Sequence, residues 1–307
     1  MEKIKVLSLF NGISCGRVAL ERAKLEVERY VSFEIDRFAN EVAKKNYPKD
    51  EYKGDVFTGN FKEYKGFDIV IGGSPCTYWS IARRDRETTI NGMGFELFKQ
   101  FERAVKESEC KYFLYENNNS ISQTIKDEIS KRLGVQPIMI DSSLVSAQRR
   151  KRCYWTNIPG VEQPKDKKIK LQDILEPGGI AYAEKAYCLT SSYNGAVIWN
   201  SLERKQRTMV AEAAKTEEQG AYTVEHNEVQ IQSRKKNGEI RNGVYKIALD
   251  DGAYKFRKLT PIEAERLQTL PDNYTKGMSD RERFKQIGNG WTVDVITHIL
   301  KNLKKER

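Results

Sequence analysis

From residue 5 to residue 140 the chain alternates strand-like runs with stretches of helical period, and no other feature restricts its fold so tightly. The strand-like runs fall at 5–10, 27–33, 54–56, 69–71, 112–115 and 137–140. Helical stretches follow most of them: Val18, Ala19, Leu20 and Ala23 after the first, 38–46 before Pro48, a Phe95, Phe98, Phe101 and Val105 stripe, and 122–133. Strands joined through helices run parallel and are covered on both faces. Ile69-Val70-Ile71 is apolar at consecutive positions, as a strand buried on both faces requires. The expected fold class is therefore α/β, a Rossmann-like domain built on a mostly parallel sheet.

Open sheets of this kind bind ligands beyond the carboxyl ends of their strands, and several chemically capable residues fall there. Ile71 runs through Gly72-Gly73-Ser74-Pro75 into Cys76, flanked by Thr77 and Ser80. Local sequence leaves two roles open for Cys76, since a free cysteine is as often packed as reactive. The first strand ends in Phe10-Asn11-Gly12-Ile13-Ser14, which lacks the glycine spacing that cradles a pyrophosphate. A phosphate-free cofactor needs less of that loop, and Phe10 could cover an adenine face. Glu34, followed by Ile35, ends the second strand, where an acid can accept from a ribose diol. Asp55-Val56 ends the third, with Asp55 either meeting an adenine amino group or capping its own turn. Glu116 ends the fifth and leads into Asn117-Asn118-Asn119.

The segment 78–93, with Arg83, Arg84 and Arg86, reads as a loop long enough to act as a lid. Gln148-Arg149-Arg150-Lys151-Arg152 precedes strand-like Cys153-Tyr154-Trp155, so its cations should alternate: Arg150 and Arg152 on one side, Arg149 and Lys151 on the other. Past residue 164 helical periodicity fades, and Asn237-Gly238 and Asp251-Gly252 stand between strand-like runs as hairpin turns. This stretch is basic through Arg204, Lys205, Arg207, Arg234, Lys235, Lys236 and Arg241. It reads as a second, smaller and mainly β lobe over 164–256, between a first catalytic part at 1–163 and a return at 257–307. Two capping boxes, beginning at Thr260 and Ser279, open helices in that return. Lys and Arg exceed Asp and Glu by 53 to 43, a net charge of +10 that suits a polyanionic partner. Five cysteines without paired spacing suggest neither a disulfide framework nor a metal site. With neither a leader nor a membrane span in view, the expectation is a reducing, cytoplasmic setting.

Taken together, the motifs, their order and their spacing resemble the DNA (cytosine-5) methyltransferases, bacterial or phage type, over nearly the whole chain except the variable lobe. The resemblance rests on Phe10-Asn11-Gly12, Glu34, Gly54-Asp55, Pro75-Cys76, Leu97-Phe98, Glu116-Asn117, Gln148 to Arg152, Arg257 to Asp272 and Gly288-Asn289. Ser74 replaces the commoner proline before Pro75, and Asn118 stands where valine usually follows Glu-Asn. Ser74, together with Trp291 after Gly288-Asn289-Gly290, is similar to the de novo branch of animal enzymes and related phage enzymes. The resemblance implies an S-adenosyl-L-methionine-dependent methyltransferase domain with a mainly β target-recognition domain. S-adenosyl-L-methionine would be held by Phe10, Gly12, Ile13, Ser14, Glu34, Ile35, Asp55, Val56, Pro75, Leu97, Asn289 and Trp291, and no metal is needed. Cys76 would attack carbon 6 of a flipped-out cytosine, Glu116 would bind N3 and the exocyclic amine, Arg152 would hold O2, and Arg150 would orient Glu116 and Cys76. Double-stranded DNA would meet Ser80, Arg83, Arg84, Gln148, Arg149, Arg234, Lys235, Lys236 and Arg241. A cognate restriction endonuclease is a further partner of such enzymes, and the expected state is a monomer, with a homo-oligomer as the alternative. Competing readings are a tRNA cytosine-5 methyltransferase, a non-catalytic DNA-binding paralogue and, more remotely, a nicotinamide dehydrogenase. The first of these normally lacks a large recognition lobe, whereas a lobe of roughly ninety residues, 164–256, precedes Arg257 here.

Overall fold

The computed structural model describes residues 3–80, 85–234 and 239–304. The chain divides into two compact units. The first comprises Met1–Ser142, Lys151–Lys165 and Gly290–Arg307, the second Ser143–Arg150 and Asp166–Asn289.

The first unit opens with β1 (Ile4–Leu9), α1 (Cys15–Arg22), β2 (Val27–Phe33), α2 (Arg37–Asn46), β3 (Glu51–Lys53) and β4 (Ile69–Gly72). It continues with α3 (Met93–Ser108), β5 (Tyr112–Asn118), α4 (Gln123–Leu133), β6 (Ile138–Asp141) and β7 (Lys151–Thr156). The seven strands lie in the order β3-β2-β1-β4-β5-β7-β6. The pairs among β1 to β5 are parallel, while β7 runs antiparallel to both β5 and β6. Because β1 lies between β2 and β4, the chain leaves it first to one side and later to the other. Such a switch point opens a crevice beyond the carboxyl ends of β1 and β4, where the loops 10–14 and 73–76 lie.

Buried side chains explain the sheet's central strands: Ile69, Val70, Ile71, Leu7 and Leu9 have no exposed surface. One side of the core is aromatic. Tyr115 of β5 lies 5.3 Å from Phe98 and 4.9 Å from Phe101 of α3, and 5.8 Å from Trp155 of β7, between ring centroids. Each such pair contributes about 0.5–1.5 kcal/mol beyond burial. Asp36 caps α2 by accepting from the backbone N–H groups of Phe38 and Ala39.

The third strand departs from expectation. It occupies Glu51–Lys53, an edge strand against β2, and not 54–56. Asp55 instead caps a 3-10 turn, Val56–Thr58, accepting from Phe57 N at 3.0 Å. A short edge strand with polar residues carries no apolar run, so its position is set by pairing and not by hydrophobicity.

The second unit carries α5 (Ile198–Leu202), β8 (Met209–Ala213), β9 (Tyr222–Glu225), β10 (Glu228–Arg234), β11 (Ile240–Lys246) and β12 (Gly252–Lys258). These strands form an antiparallel sheet ordered β11-β10-β9-β12-β8. The turn expected at Asn237-Gly238 lies outside the described residues. Helices α6 (Pro261–Leu267) and α7 (Asp280–Asn289) follow, and α8 (Val293–Leu300) belongs to the first unit. The box at Thr260 forms: its hydroxyl accepts from Glu263 N, and the Glu263 carboxylate accepts from Thr260 N. Among the described residues no helix is long and apolar enough to cross a membrane.

Candidate active site

At the carboxyl end of β4 two glycines allow close approach. A Cβ on Gly72 would lie 2.8 Å from Leu9 O. One on Gly73 would lie 2.8 Å from Glu116 Oε2 and 3.2 Å from Trp291 Nε1. Ser74 is buried, with its hydroxyl 2.6 Å from the phenol oxygen of Tyr115. The Asn117 side-chain amide donates to Ser74 O, Ser74 Oγ and the Tyr115 hydroxyl, each at 3.3 Å. Burial pushes the Tyr115 phenol well up, so that this hydroxyl stays protonated. Three polar side chains thus tie the Ser74-Pro75 backbone to β5. Cys76, half-buried, opens a 3-10 turn, Cys76–Tyr78, closed by Trp79 N donating to Cys76 O. Farther along, the Glu87 carboxylate accepts from Met93 N and Gly94 N, which anchors the start of α3. Ser80 is half-buried, and residues 81–84, including Arg83 and Arg84, lie outside the described residues.

Glu116 and Arg152 come together through the β5–β7 pairing, which sets Glu116 opposite Tyr154 and Asn118 opposite Arg152. Arg152 Nε lies 3.0 Å from Glu116 Oε1. The other oxygen, Oε2, accepts from Trp291 Nε1 at 2.9 Å. Motif spacing places Trp291 only with the cofactor residues, and the 175 positions between the two partners carry no local signal of this bond.

On the cofactor side, the β1–α1 loop takes left-handed backbone at Phe10, Gly12 and Ser14. Ile13 and Ser14 are buried, with Ser14 Oγ accepting from Asn11 Nδ2 at 2.8 Å. Glu34 accepts from Gly12 N at Oε2, and from Ile35 N and Asp36 N at Oε1, all at 2.8 Å. Burial raises the Glu34 carboxyl above its ordinary range, and those three backbone donors pull against the rise. With Oε1 doubly engaged, Oε2 keeps the lone pair open to a ligand. Ile35 is 75% exposed and Phe57 45%, two apolar side chains in water just past β2 and β3. An acid with spare acceptor capacity beside the exposed Ile35, without a phosphate cradle, fits the nucleoside end of S-adenosyl-L-methionine. Val56 is buried, Pro75 is exposed, and Leu97 packs partly against the core.

A family model for the C-5 cytosine-specific DNA methylases matches residues 4–305. The chain belongs to that family. Its curated relatives include the type II methyltransferase M1.ScrFI of Lactococcus lactis subsp. cremoris, 26% identical over 98% of this chain and 78% of the relative. M.NlaX of Neisseria lactamica is 26% identical over 98% of this chain and 96% of its own. Among solved structures, Entamoeba histolytica methyltransferase EhMeth superposes with a TM-score of 0.70 at 16% identity, covering 100% of this chain and 99% of that one. As a C-5 cytosine-specific DNA methylase, the protein methylates carbon 5 of cytosine in DNA, and the family uses S-adenosyl-L-methionine as donor.

Other residues of this methylase that motif spacing singles out lie in the second unit. Arg149 is exposed there, whereas Arg150 is buried and donates to Leu189 O at 2.7 Å and Gly288 O at 3.1 Å. Gln148, expected on DNA, corrects the sequence reading: it is fully buried, donating to Leu267 O and Gln268 Oε1 and accepting from Leu189 N. Its amide joins three segments of the second unit and has no surface left for a ligand. Asn289 is exposed at the end of α7. Arg234 and Arg241 lie on the paired strands β10 and β11, while Lys235 and Lys236 fall outside the described residues.

Proposed function

We propose that Cys76 is the nucleophile of this methylase and Glu116 and Arg152 its base-holding pair. Carbon 5 of cytosine is a weak nucleophile, so the Cys76 sulfur first adds to carbon 6, leaving carbon 5 enamine-like. Glu116, accepting from the exocyclic amine and, when it carries a proton, donating it to N3, together with Arg152 donating to O2, stabilises the electron density that the addition moves into the ring, and the proton returns from N3 as the adduct collapses. When bound, S-adenosyl-L-methionine would supply a sulfonium methyl as the electrophile for carbon 5, with S-adenosyl-L-homocysteine as the leaving group. Carbon 5 then loses its proton, and the electron pair expels Cys76 as 5-methylcytosine forms. Glu34 would hold a ribose hydroxyl and Asp55 the adenine amino group, with Ile35 and Phe57 against the adenine. Phe10, Gly12, Ile13, Ser14, Val56, Pro75, Leu97, Asn289 and Trp291 would line the rest of that site.

The observation that carries this reading is the bond at 3.0 Å between Arg152 Nε and Glu116 Oε1, with the carboxylate packed on Gly73 at the root of the Cys76 turn. The base must leave the duplex stack to reach these groups, at a cost of a few kcal/mol. We assign the grip on double-stranded DNA to residues 164–256 and their cations, together with Arg149. The enzyme would act as a cytoplasmic monomer, with a restriction endonuclease as companion.

The test is transfer of labelled methyl from S-adenosyl-L-methionine to unmethylated duplex DNA and, in parallel, to tRNA, with bisulfite sequencing of the product. Label on cytosine carbon 5 of DNA in one sequence context is expected, lost in Cys76→Ser while DNA binding persists. Transfer surviving in that variant would overturn the assignment of Cys76.

A further inference from the structure

The Glu116 carboxylate has a donor on each oxygen, and only one of them is the arginine that the proposed chemistry uses. The other is Trp291, two residues before α8, whose indole lies against two glycines that leave it room. A Cβ on Gly73 would lie 3.2 Å from Trp291 Nε1, and one on Gly16, in α1, would lie 3.4 Å from Trp291 Cζ3. Gly16 follows the loop of β1 on the cofactor side, and Gly73 precedes the Cys76 turn. One rigid ring therefore spans from the cofactor loop to the acid.

We propose that Trp291 is a positioning residue for Glu116, fixing the plane of its carboxylate before a base enters. A glutamate's last torsion is broad and roughly two-fold, so one donor at Oε1 leaves Oε2 free to swing. Donors on both oxygens, at 3.0 Å and 2.9 Å, remove that freedom. An indole suits the task because it only donates and carries no charge. It holds the carboxylate without adding a second cation beside the first, which leaves Glu116 able to turn its remaining lone pairs to the ring. Both side chains of the ion pair are largely shielded, at 13% and 12% exposure, so water does not replace a missing donor at no cost. This inference rests on the reading of Glu116 as the group that engages the base, and it adds to the cofactor contact assigned to Trp291 a separate task.

Trp291→Phe keeps an aromatic ring against Gly16 and Gly73 and removes the N–H. Trp291→His restores a donor in nearly the same place, because imidazole Nε2 occupies the ring position of indole Nε1. Each variant is measured for kcat on duplex DNA, KM for DNA, thermal midpoint, and the Kd of S-adenosyl-L-homocysteine by calorimetry. The Phe variant should lose about 10- to 100-fold in kcat, the range expected for one hydrogen bond to a charged group. Its KM for DNA should stay within about twofold of the wild type, the retained ring should keep any rise in product Kd well below the kcat loss, and the His variant should recover most of the lost kcat. A Phe variant with wild-type kcat, a loss seen only in the product Kd, or a kcat loss that His does not repair would each overturn the proposal. Should the Phe variant melt early, the His variant still decides: wild-type turnover with a donor present supports the role, and turnover as low as in Glu116→Ala refutes it. Glu116→Gln with undiminished kcat would instead refute the reading of Glu116, a result distinct from any outcome of the tryptophan pair.

Discussion

Removing the hydroxyl that joins Ser74 to Tyr115 should destabilise the loop that carries Cys76, and a double-mutant cycle makes the effect measurable. Tyr115→Phe leaves the ring among Phe98, Phe101 and Trp155 and deletes only the group 2.6 Å from Ser74 Oγ. Ser74→Ala deletes the other half. In either single variant the surviving hydroxyl is buried and loses its 2.6 Å partner, keeping the Asn117 amide at 3.3 Å and, for the phenol, the backbone N–H of residue 74. Each should therefore cost about 1–2 kcal/mol, a lost bond plus part of the penalty for an under-satisfied polar group. In the double variant both hydroxyls are gone, and Asn117 retains the main-chain oxygen of residue 74 as acceptor. The double should then cost less than the two singles combined, by about 1 kcal/mol or more. Because two units can unfold separately, the assay is native-state hydrogen exchange of the β4 and β5 amides, with urea unfolding followed through Trp155 as a second probe. Losses that add within about 0.3 kcal/mol would show that the two hydroxyls act independently, and the account of this turn would fail.

Glu34 should make cofactor affinity sensitive to acid. Its carboxyl lies above the ordinary range because it is buried, so as pH falls it loses its charge sooner than an exposed glutamate does. The Kd of S-adenosyl-L-homocysteine measured from about pH 8 to pH 5 should rise in the wild type and stay weak and flat in Glu34→Gln; two parallel profiles would contradict this. Arg257→Met should cost the second unit about 3 kcal/mol or more, since it strips the partner from the fully buried Glu263 carboxylate, which keeps only the N–H groups of Thr260 and Glu176. Hydrogen exchange across β12 and α6 reads that loss, and a change under about 1 kcal/mol would mean that the pair is dispensable.

Hydrophobic period carried the fold, and it failed where a strand has none. The apolar runs of β1, β4 and β5 announce a buried parallel sheet, and the protein has one. Glu51-Tyr52-Lys53 is set by its pairing with Val31-Ser32-Phe33, a fact of the neighbouring strand that its own residues do not encode. Motif position found Glu116, Arg152 and Trp291 separately, yet the bond from Trp291 to Glu116 spans 175 residues, and nothing near either one requires it. Gln148 errs in the opposite direction. A polar residue beside four cations reads as surface, and the partners that bury it lie far along the chain: Leu189 N, 41 residues on, and the oxygens of Leu267 and Gln268, more than a hundred residues on.

Ser74 shows what such long-range pairing does to the reading of a departure from a motif. As a single position, serine in place of proline before Pro75-Cys76 is a change beside the proposed nucleophile with no evident purpose. Beside Tyr115 it has one, because a proline at 74 would offer the buried phenol no hydroxyl and leave it the Asn117 amide alone. A phenol with no exposed surface needs a partner of its own. In this chain residues 74 and 115 therefore act as one unit, serine with tyrosine. Ser74→Pro should then be harmful in this chain, and Tyr115→Phe added to it should restore part of the loss, even though each replacement alone weakens the turn.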